Sequence, residues 1–238
     1  MSEPDARVPE TLVISCDREF PPYTTANAEN EPAGMLVDLW RLWSDKTGHK
    51  ITFRVSDWEG TLSNLRQGLV DVHMGLFRNE ERETWIDFSM PIYASGSALF
   101  YPLNQGTVLD LSGLKGLKVG VVRGGDAENF LAVHKPDLVL VRYDEPKTMV
   151  RAALSGGIRA FADESLGMLT LLEPEGWKDQ IGKPAEEFYT KDMCAGVRKG
   201  RKELLELVNR GLNAISKEEM AEIERRWIAD PGVRRFGP

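Results

Sequence analysis

The densest run of chemically capable residues is Gly75 to Tyr93, G-L-F-R-N-E-E-R-E-T-W-I-D-F-S-M-P-I-Y. The apolar run Val70 to Met74 before it predicts a buried strand ending at Gly75. Asn79 is placed as a helix N-cap, with Glu80, Glu81 and Glu83 favourable in a first turn. Arg82 rides on that turn, within reach of the carboxyl end of the preceding strand. A guanidinium delivered to a strand's C-terminal rim suits a crevice that receives an anion. Taken alone, such an arginine is more commonly a surface ion-pair partner. Pro91 forbids helix, so Ile86 to Tyr93 is expected to be extended.

The remaining chemistry-bearing residue types narrow the choice. Cys16-Asp17-Arg18-Glu19-Phe20-Pro21-Pro22-Tyr23 is a loop held extended by its proline pair, carrying two aromatics and a carboxylate. Cys16 and Cys194 fall in predicted strands and read as buried free thiols rather than a disulfide. His49, His73 and His134 lie in unrelated elements without partners at metal-ligand spacing, so neither a metal site nor a cofactor is expected. His73, in an apolar strand, reads as a hydrogen-bonded core residue. No Ser-His-Asp order, nucleophile elbow or reactive-cysteine signature is present, and no catalytic residue is assigned. The net charge of -7 and the absence of a basic run argue against nucleic acid. There is no apolar stretch of membrane-spanning length and no secretory leader.

The elements that must position these residues recur in order. Thr11 to Ser15 is a strand. Met35 to Lys46 carries apolar residues at helical spacing and ends at Gly48. Ile51, Phe53 and Val55 alternate as a strand. Asp57 caps a helix that carries Trp58, Leu62, Leu65 and Leu69 on one face, and the strand at 70–74 follows. Lys118 to Val122, Asp126 to His134, Leu138 to Arg142, Pro146 to Leu154 and Ile158 to Ala162 repeat the pattern. Strand-helix-strand connections this short imply parallel pairing, and two such sets imply two α/β lobes. Lys191 to Arg198 reads as another extended segment, followed by amphipathic helices over Lys202 to Ile215 and Lys217 to Ile228. If these return to the first lobe, two crossings make a hinge, and a cleft between hinged lobes is a ligand site.

Eight motifs in this order resemble the bacterial extracellular solute-binding proteins of family 3, the type II periplasmic amino-acid-binding proteins. They are D-R-E-F-P-P-Y at 17–23, G-M-L-V-D-L at 34–39, W-E-G-T-L-S-N-L-R-Q-G-L-V-D at 58–71 and E-E-R at 80–82. D-F-S-M-P-I-Y at 87–93, L-K-G-L-K-V-G-V-V at 114–122, G-V-R-K-G at 196–200 and E-R-R-W at 224–227 complete the set. The wording around Gly75-Leu76-Phe77 and Ile158-Arg159-Ala160-Phe161 is also similar to sensory versions fused to histidine kinases or diguanylate cyclases. The resemblance implies a two-lobed type II fold, each lobe a mostly parallel sheet flanked by helices. Lobe 1 is then 8–101 plus 194–238, lobe 2 is 105–190, and the crossovers are 102–104 and 191–193. It also implies a periplasmic or extracellular location, whose leader or membrane segment this sequence does not contain. The implied partners are a small-molecule ligand and either a membrane transporter or a linked signalling module.

Carried over residue by residue, Arg82 grips a ligand α-carboxylate, Phe20 stacks on the ligand and Asp17 meets its polar side chain. Trp58 is a further wall or a core residue, and Tyr23 is core. Where the family sets a Thr or Ser beside the arginine this chain has Phe77, in a segment one residue short, with the backbone at Gly75 and Phe77 as substitute contacts. The second lobe's Gly-Ser-Thr is replaced by Gly124-Gly125-Asp126. The amide of Gly125 remains, while Asp126 is expected to cap its own helix. Glu164, or Asp163 beside it, meets the ligand ammonium group, with helix capping as the structural alternative and Asp163 the better cap. The expected function is non-enzymatic binding of an amino acid or related carboxylate, with an apolar or aromatic side chain favoured by Phe20, Trp58 and Phe77. The alternatives are a cyclohexadienyl-dehydratase-like enzyme using Glu164 or Asp163 as its acid, and a sensor domain whose cleft has lost its ligand.

Overall fold

Short apolar runs alternate with helical stretches, and the computed structural model, which describes residues 7–108, 110–183 and 187–237, assembles them into two units. Unit 1 holds the chain up to Ala94 and again from Asp192, and unit 2 is Ser95–Lys191. Unit 1 begins with β1 (Thr11–Asp17), β2 (Glu19–Phe20), β3 (Thr24–Ala26), β4 (Pro32–Ala33) and α1 (Met35–Thr47). It continues with β5 (Lys50–Ser56), α2 (Trp58–Gln67), β6 (Val72–Phe77) and α3 (Glu80–Glu83). Strand β7 (Ile86–Pro102) starts in unit 1 and ends in unit 2. Unit 2 adds β8 (Lys118–Val122), α4 (Asp126–His134), β9 (Val139–Tyr143), α5 (Pro146–Leu154), β10 (Ala160–Glu164), α6 (Ser165–Leu172) and β11 (Ile181–Gly182). Strand β12 (Tyr189–Arg198) returns to unit 1, which closes with α7 (Lys202–Asn213) and α8 (Lys217–Trp227).

In unit 1 the order is β5-β1-β6-β12. β1 runs parallel to β5, Thr11 against Lys50 through Asp17 against Ser56, and parallel to β6, while β12 is antiparallel to β6. Helix α1 covers this sheet because its apolar residues recur at helical spacing: Leu36, Leu39, Trp40 and Trp43 are all buried. Each such side chain contributes about 1.5–3 kcal/mol. The two indole N–H groups donate to Met74 O at 2.9 Å and Val208 O at 3.0 Å, so their burial leaves no donor unmet. Gly48 ends α1 in the left-handed region, φ 72°, its N–H returning to Ser44 O.

In unit 2 the order is β7-β10-β8-β9, with β8 parallel to both β9 and β10 and β7 antiparallel to β10. The two-residue period of β10 sorts its side chains. Phe161 joins Phe100, Met149 and Met168 in one cluster, while Ala160 and Ala162 join Leu99, Val119 and Leu131 in another.

Several expectations shift. The strand predicted over 70–74 is Val72–Phe77, so Gly75 lies inside it. A Cβ there would come within 2.6 Å of Leu36 Cδ1 and 2.9 Å of Met193 Sδ, so Gly75 marks close packing against these side chains and not the end of the strand. Leu69 lies past the end of α2 and is 46% exposed. The strand expected over 158–162 is Ala160–Glu164, and α6 and the antiparallel β2-β3-β4 sheet have no counterpart in the expectations. The units divide at 94/95, within the continuous strand β7, and at 191/192. Cys16 and Cys194 are free and buried, and burial pushes the Cys16 thiol up to about 12. Among the described residues no helix is long and apolar enough to cross a membrane.

Candidate functional site

Strands β1, β5 and β6 are mutually parallel in the order β5-β1-β6, so their carboxyl ends lie on one side of unit 1. In open α/β sheets that is where ligands bind. Asp17 is the last residue of β1, Asp57-Trp58 follows β5, and Phe77 ends β6 with Arg82 five residues on. Five of the predicted residues, Asp17, Phe20, Trp58, Phe77 and Arg82, therefore belong to this one rim or the loops leaving it.

Arg82 is placed by its turn. The Asn79 side chain accepts from Arg82 N at 2.8 Å, the N-cap bond read from sequence. The Arg82 side chain turns back to the strand, Nη1 donating to Phe77 O at 2.6 Å, and its Cζ lies 5.1 Å from the Trp58 ring centre. At 1% exposure it is no surface ion-pair arginine. The carbonyl fixes the fork and the indole face supports the charge, an arrangement suited to a planar anion. The Trp58 indole nitrogen and the Asn79 amide nitrogen are buried without hydrogen-bond partners. Asp57 caps α2 by accepting from Gly60 N at 2.7 Å, which sets Trp58 in the helix's first position.

Asp17 sits where β1 ends, its Oδ1 accepting from Glu19 N at 3.1 Å. Burial pushes its carboxyl up to about 6, opposed by the Glu19 amide and reinforced by the charges of Glu19 and Asp57. Phe20 is half-buried and packs with its ring tilted at 33° and centred 4.7 Å from that of Tyr23, which is wholly buried as expected of core.

Gly75, also predicted, lies within β6. In unit 2, β8 and β10 are parallel and the four other predicted residues, Gly125, Asp126, Asp163 and Glu164, lie at or just past their carboxyl ends. Gly125, not Asp126, is the N-cap of α4, and it makes no side-chain cap. This corrects the expectation for Asp126. As the first helical residue, its carboxylate accepts from Tyr189 Oη at 2.5 Å and from Lys191 Nζ at 3.0 and 2.9 Å. A buried carboxylate at 8% exposure takes an external cation and a hydroxyl in preference to its own helix's amides. Burial, then the Asp126 charge, push the Tyr189 hydroxyl far above its ordinary range. Glu164, not Asp163, is the better cap. Its Oε1 accepts from Leu166 N at 3.0 Å, its Oε2 from Gly167 N at 2.5 Å, and the Ser95 hydroxyl donates to it as well. Asp163 Oδ1 accepts from Glu164 N at 2.8 Å. The longer glutamate reaches the amides because the strand runs through Glu164 itself.

Tyr189, Lys191 and Ser95 were not read from the sequence. Each meets its partner across 63 or more residues, and no local pattern marks such a pair. Elsewhere in unit 2 a cavity of about 290 Å³ opens beside Arg159, Asp110 and Ser112, none of them a predicted site residue. Among the described residues no three His, Cys, Asp or Glu are grouped to hold a metal ion.

The profile of the bacterial extracellular solute-binding proteins, family 3, matches residues 12–230. The L-cystine-binding protein TcyJ of Escherichia coli K12 is 26% identical over 221 residues, covering 92% of this chain and 82% of that protein. A histidine kinase sensor domain with similarity to periplasmic binding proteins superposes with a TM-score of 0.85 at 27% identity, covering 92% of this chain and 96% of that one. An ancestral arginine-binding protein bound to arginine gives 0.84 at 26% identity, covering 93% and 100%.

Proposed function

We propose, for a chain that belongs to the bacterial extracellular solute-binding proteins of family 3, that it binds a small zwitterion of the amino-acid class through the rim of unit 1. The fold is the type II periplasmic-binding-protein fold, and the related proteins are amino-acid-binding proteins and sensor domains. In this reading Arg82 receives the ligand carboxylate, Trp58 and Phe20 supply apolar surface, and Asp17 faces a cationic group. The observation that carries it is the Arg82 guanidinium, buried, fixed by Phe77 O and lying over Trp58. Burying a guanidinium costs several kcal/mol, and a site that binds anions has a use for that cost.

Both a transport receptor and a sensor input need this same step, and relatives of each kind are similar over nearly the whole chain. Binding therefore comes first as the function to test. Thermal melts against the twenty amino acids, with L-cystine included, test it. A ligand at 100 times its dissociation constant stabilises the native state by about 2.7 kcal/mol. A shift confined to one group of amino acids supports the reading, and a flat response to all of them overturns it.

A further inference from the structure

His73 is a buried titratable residue at 2% exposure, in a strand whose other side chains are apolar or glycine. Its two ring nitrogens have different partners: Nε2 lies 3.0 Å from Thr61 Oγ1, and Nδ1 lies 3.4 Å from Gly75 N. The tautomer follows from those partners. Gly75 N–H can only donate, so Nδ1 must be bare. The Thr61 hydroxyl spends its one hydrogen on Trp58 O at 2.6 Å, so toward His73 it accepts, and Nε2 carries the proton. An imidazolium would set an N–H against the Gly75 N–H, so the ring is neutral. Burial, then the nearby Arg82 charge, lower its pKa to about 3.

His73 thus reaches Trp58 by two routes. Through Thr61 it holds the Trp58 carbonyl in the first turn of α2, and its ring meets the indole edge-on at 5.6 Å and 76°. The Trp58 ring in turn carries Arg82. We infer that His73, as its neutral Nε2–H tautomer, is the positioning residue of the Arg82 anion site, fixing Trp58 through Thr61 and the edge-on ring contact so that the guanidinium is held over the indole. The inference rests on the reading of Arg82 as the ligand's anchor, and it names what keeps that anchor in place.

Three variants separate positioning from bulk. His73→Gln keeps a donor near the Nε2 position, whereas His73→Asn keeps polarity but falls short of Thr61, and His73→Leu fills the space without a donor. Two readouts apply: the ¹⁵N resonance of the Arg82 Nε–H group in the ligand-free protein, and calorimetric affinity for L-arginine, L-histidine, L-cystine and L-glutamine. The expected result is an unmoved Arg82 resonance and affinity within about threefold for His73→Gln. His73→Asn and His73→Leu are expected to displace the resonance and lose about tenfold or more in affinity, the scale of one buried hydrogen bond. An Arg82 resonance unmoved in all three variants overturns the inference. So does ¹⁵N histidine spectroscopy of the wild-type protein showing an Nδ1–H ring, a measurement that needs no variant to fold. If no amino acid binds the wild type while the Arg82 resonance still follows the donor, the ligand reading falls and the positioning role stands.

Discussion

At the scale of single residues, Arg82 and Asp17 carry opposite charges on the same rim, and each answers to a different measurement. Arg82 Nη1 donates to Phe77 O, and a planar guanidinium can meet a carboxylate with parallel donors in a way an ammonium cannot. Arg82→Lys is therefore expected to weaken amino-acid binding at least about tenfold, since a charge-assisted bond contributes roughly 1.5–3 kcal/mol. Calorimetry of wild type against variant reads this, and equal affinities would remove Arg82 from the site. For Asp17 the sign follows from a folded pKa of about 6 against an ordinary 3.8. Between those values the native state binds more protons than the unfolded chain, so stability falls as pH rises from about 4 to about 6 and is level beyond. Other carboxyls add their own slopes, so the comparison is with Asp17→Asn, which lacks this one. In urea unfolding, the stability of Asp17→Asn relative to wild type should climb from pH 4 to pH 6 and then hold. A difference that is flat across that window would show the Asp17 carboxyl to be solvated in the folded state.

At the scale of elements, two caps of unlike legibility hold the candidate residues. Asn79 was legible because its signal is local: an N-cap three residues before Arg82, with acids in the first turn. Asn79→Ala should cost about 1 kcal/mol. Because α3 is only four residues long, losing the cap should also displace Arg82 and lower amino-acid affinity several-fold by calorimetry. A variant that loses stability but keeps full affinity would show that Phe77 O alone orients the guanidinium. Of the capping pair Asp163-Glu164, the sequence did not mark Glu164 as the better cap, because Asp is the stronger local signal and only the run of β10 through Glu164 reverses the order. Glu164→Ala leaves Leu166 N, Gly167 N and the Ser95 hydroxyl without their acceptor. It should lower the urea midpoint by more than an exposed cap deletion does, whereas Asp163→Ala should move it less. The reverse order would return the capping role to Asp163.

At the scale of the whole molecule, the sequence disclosed what short-range periodicity encodes and concealed what long-range pairing decides. The two strand-helix-strand series and their parallel sense were readable because each connection is short and helical. The division at 94/95 was not, because β7 stays extended straight through it. Nor was the fate of Asp126, whose partners Tyr189 and Lys191 arrive from the far end of unit 2. The same blindness hid Glu224, a wholly buried carboxylate within E-R-R-W. It accepts from Tyr93 Oη at 2.7 Å, 131 residues away, and from the amides of Arg235 at 2.6 Å and Phe236 at 2.7 Å. One side chain thus ties α8, the segment after it and the strand residue next to the first crossing, with Phe236 packing 6.0 Å from the Tyr93 ring. Glu224→Ala strips the buried Tyr93 hydroxyl and two part-buried amides of this acceptor at once, which should cost about 3 kcal/mol. For a chain of this length that is roughly 6–12 °C in melting temperature. Glu224→Gln retains one carbonyl oxygen, and the orientation that keeps Tyr93 and Arg235 satisfied forfeits Phe236 N. It should fall between, with hydrogen exchange rising at the Phe236 amide before the Arg235 amide. Melts that coincide for wild type and both variants would mean that water replaces the carboxylate without loss, and that the C-terminal segment is not fastened through Glu224.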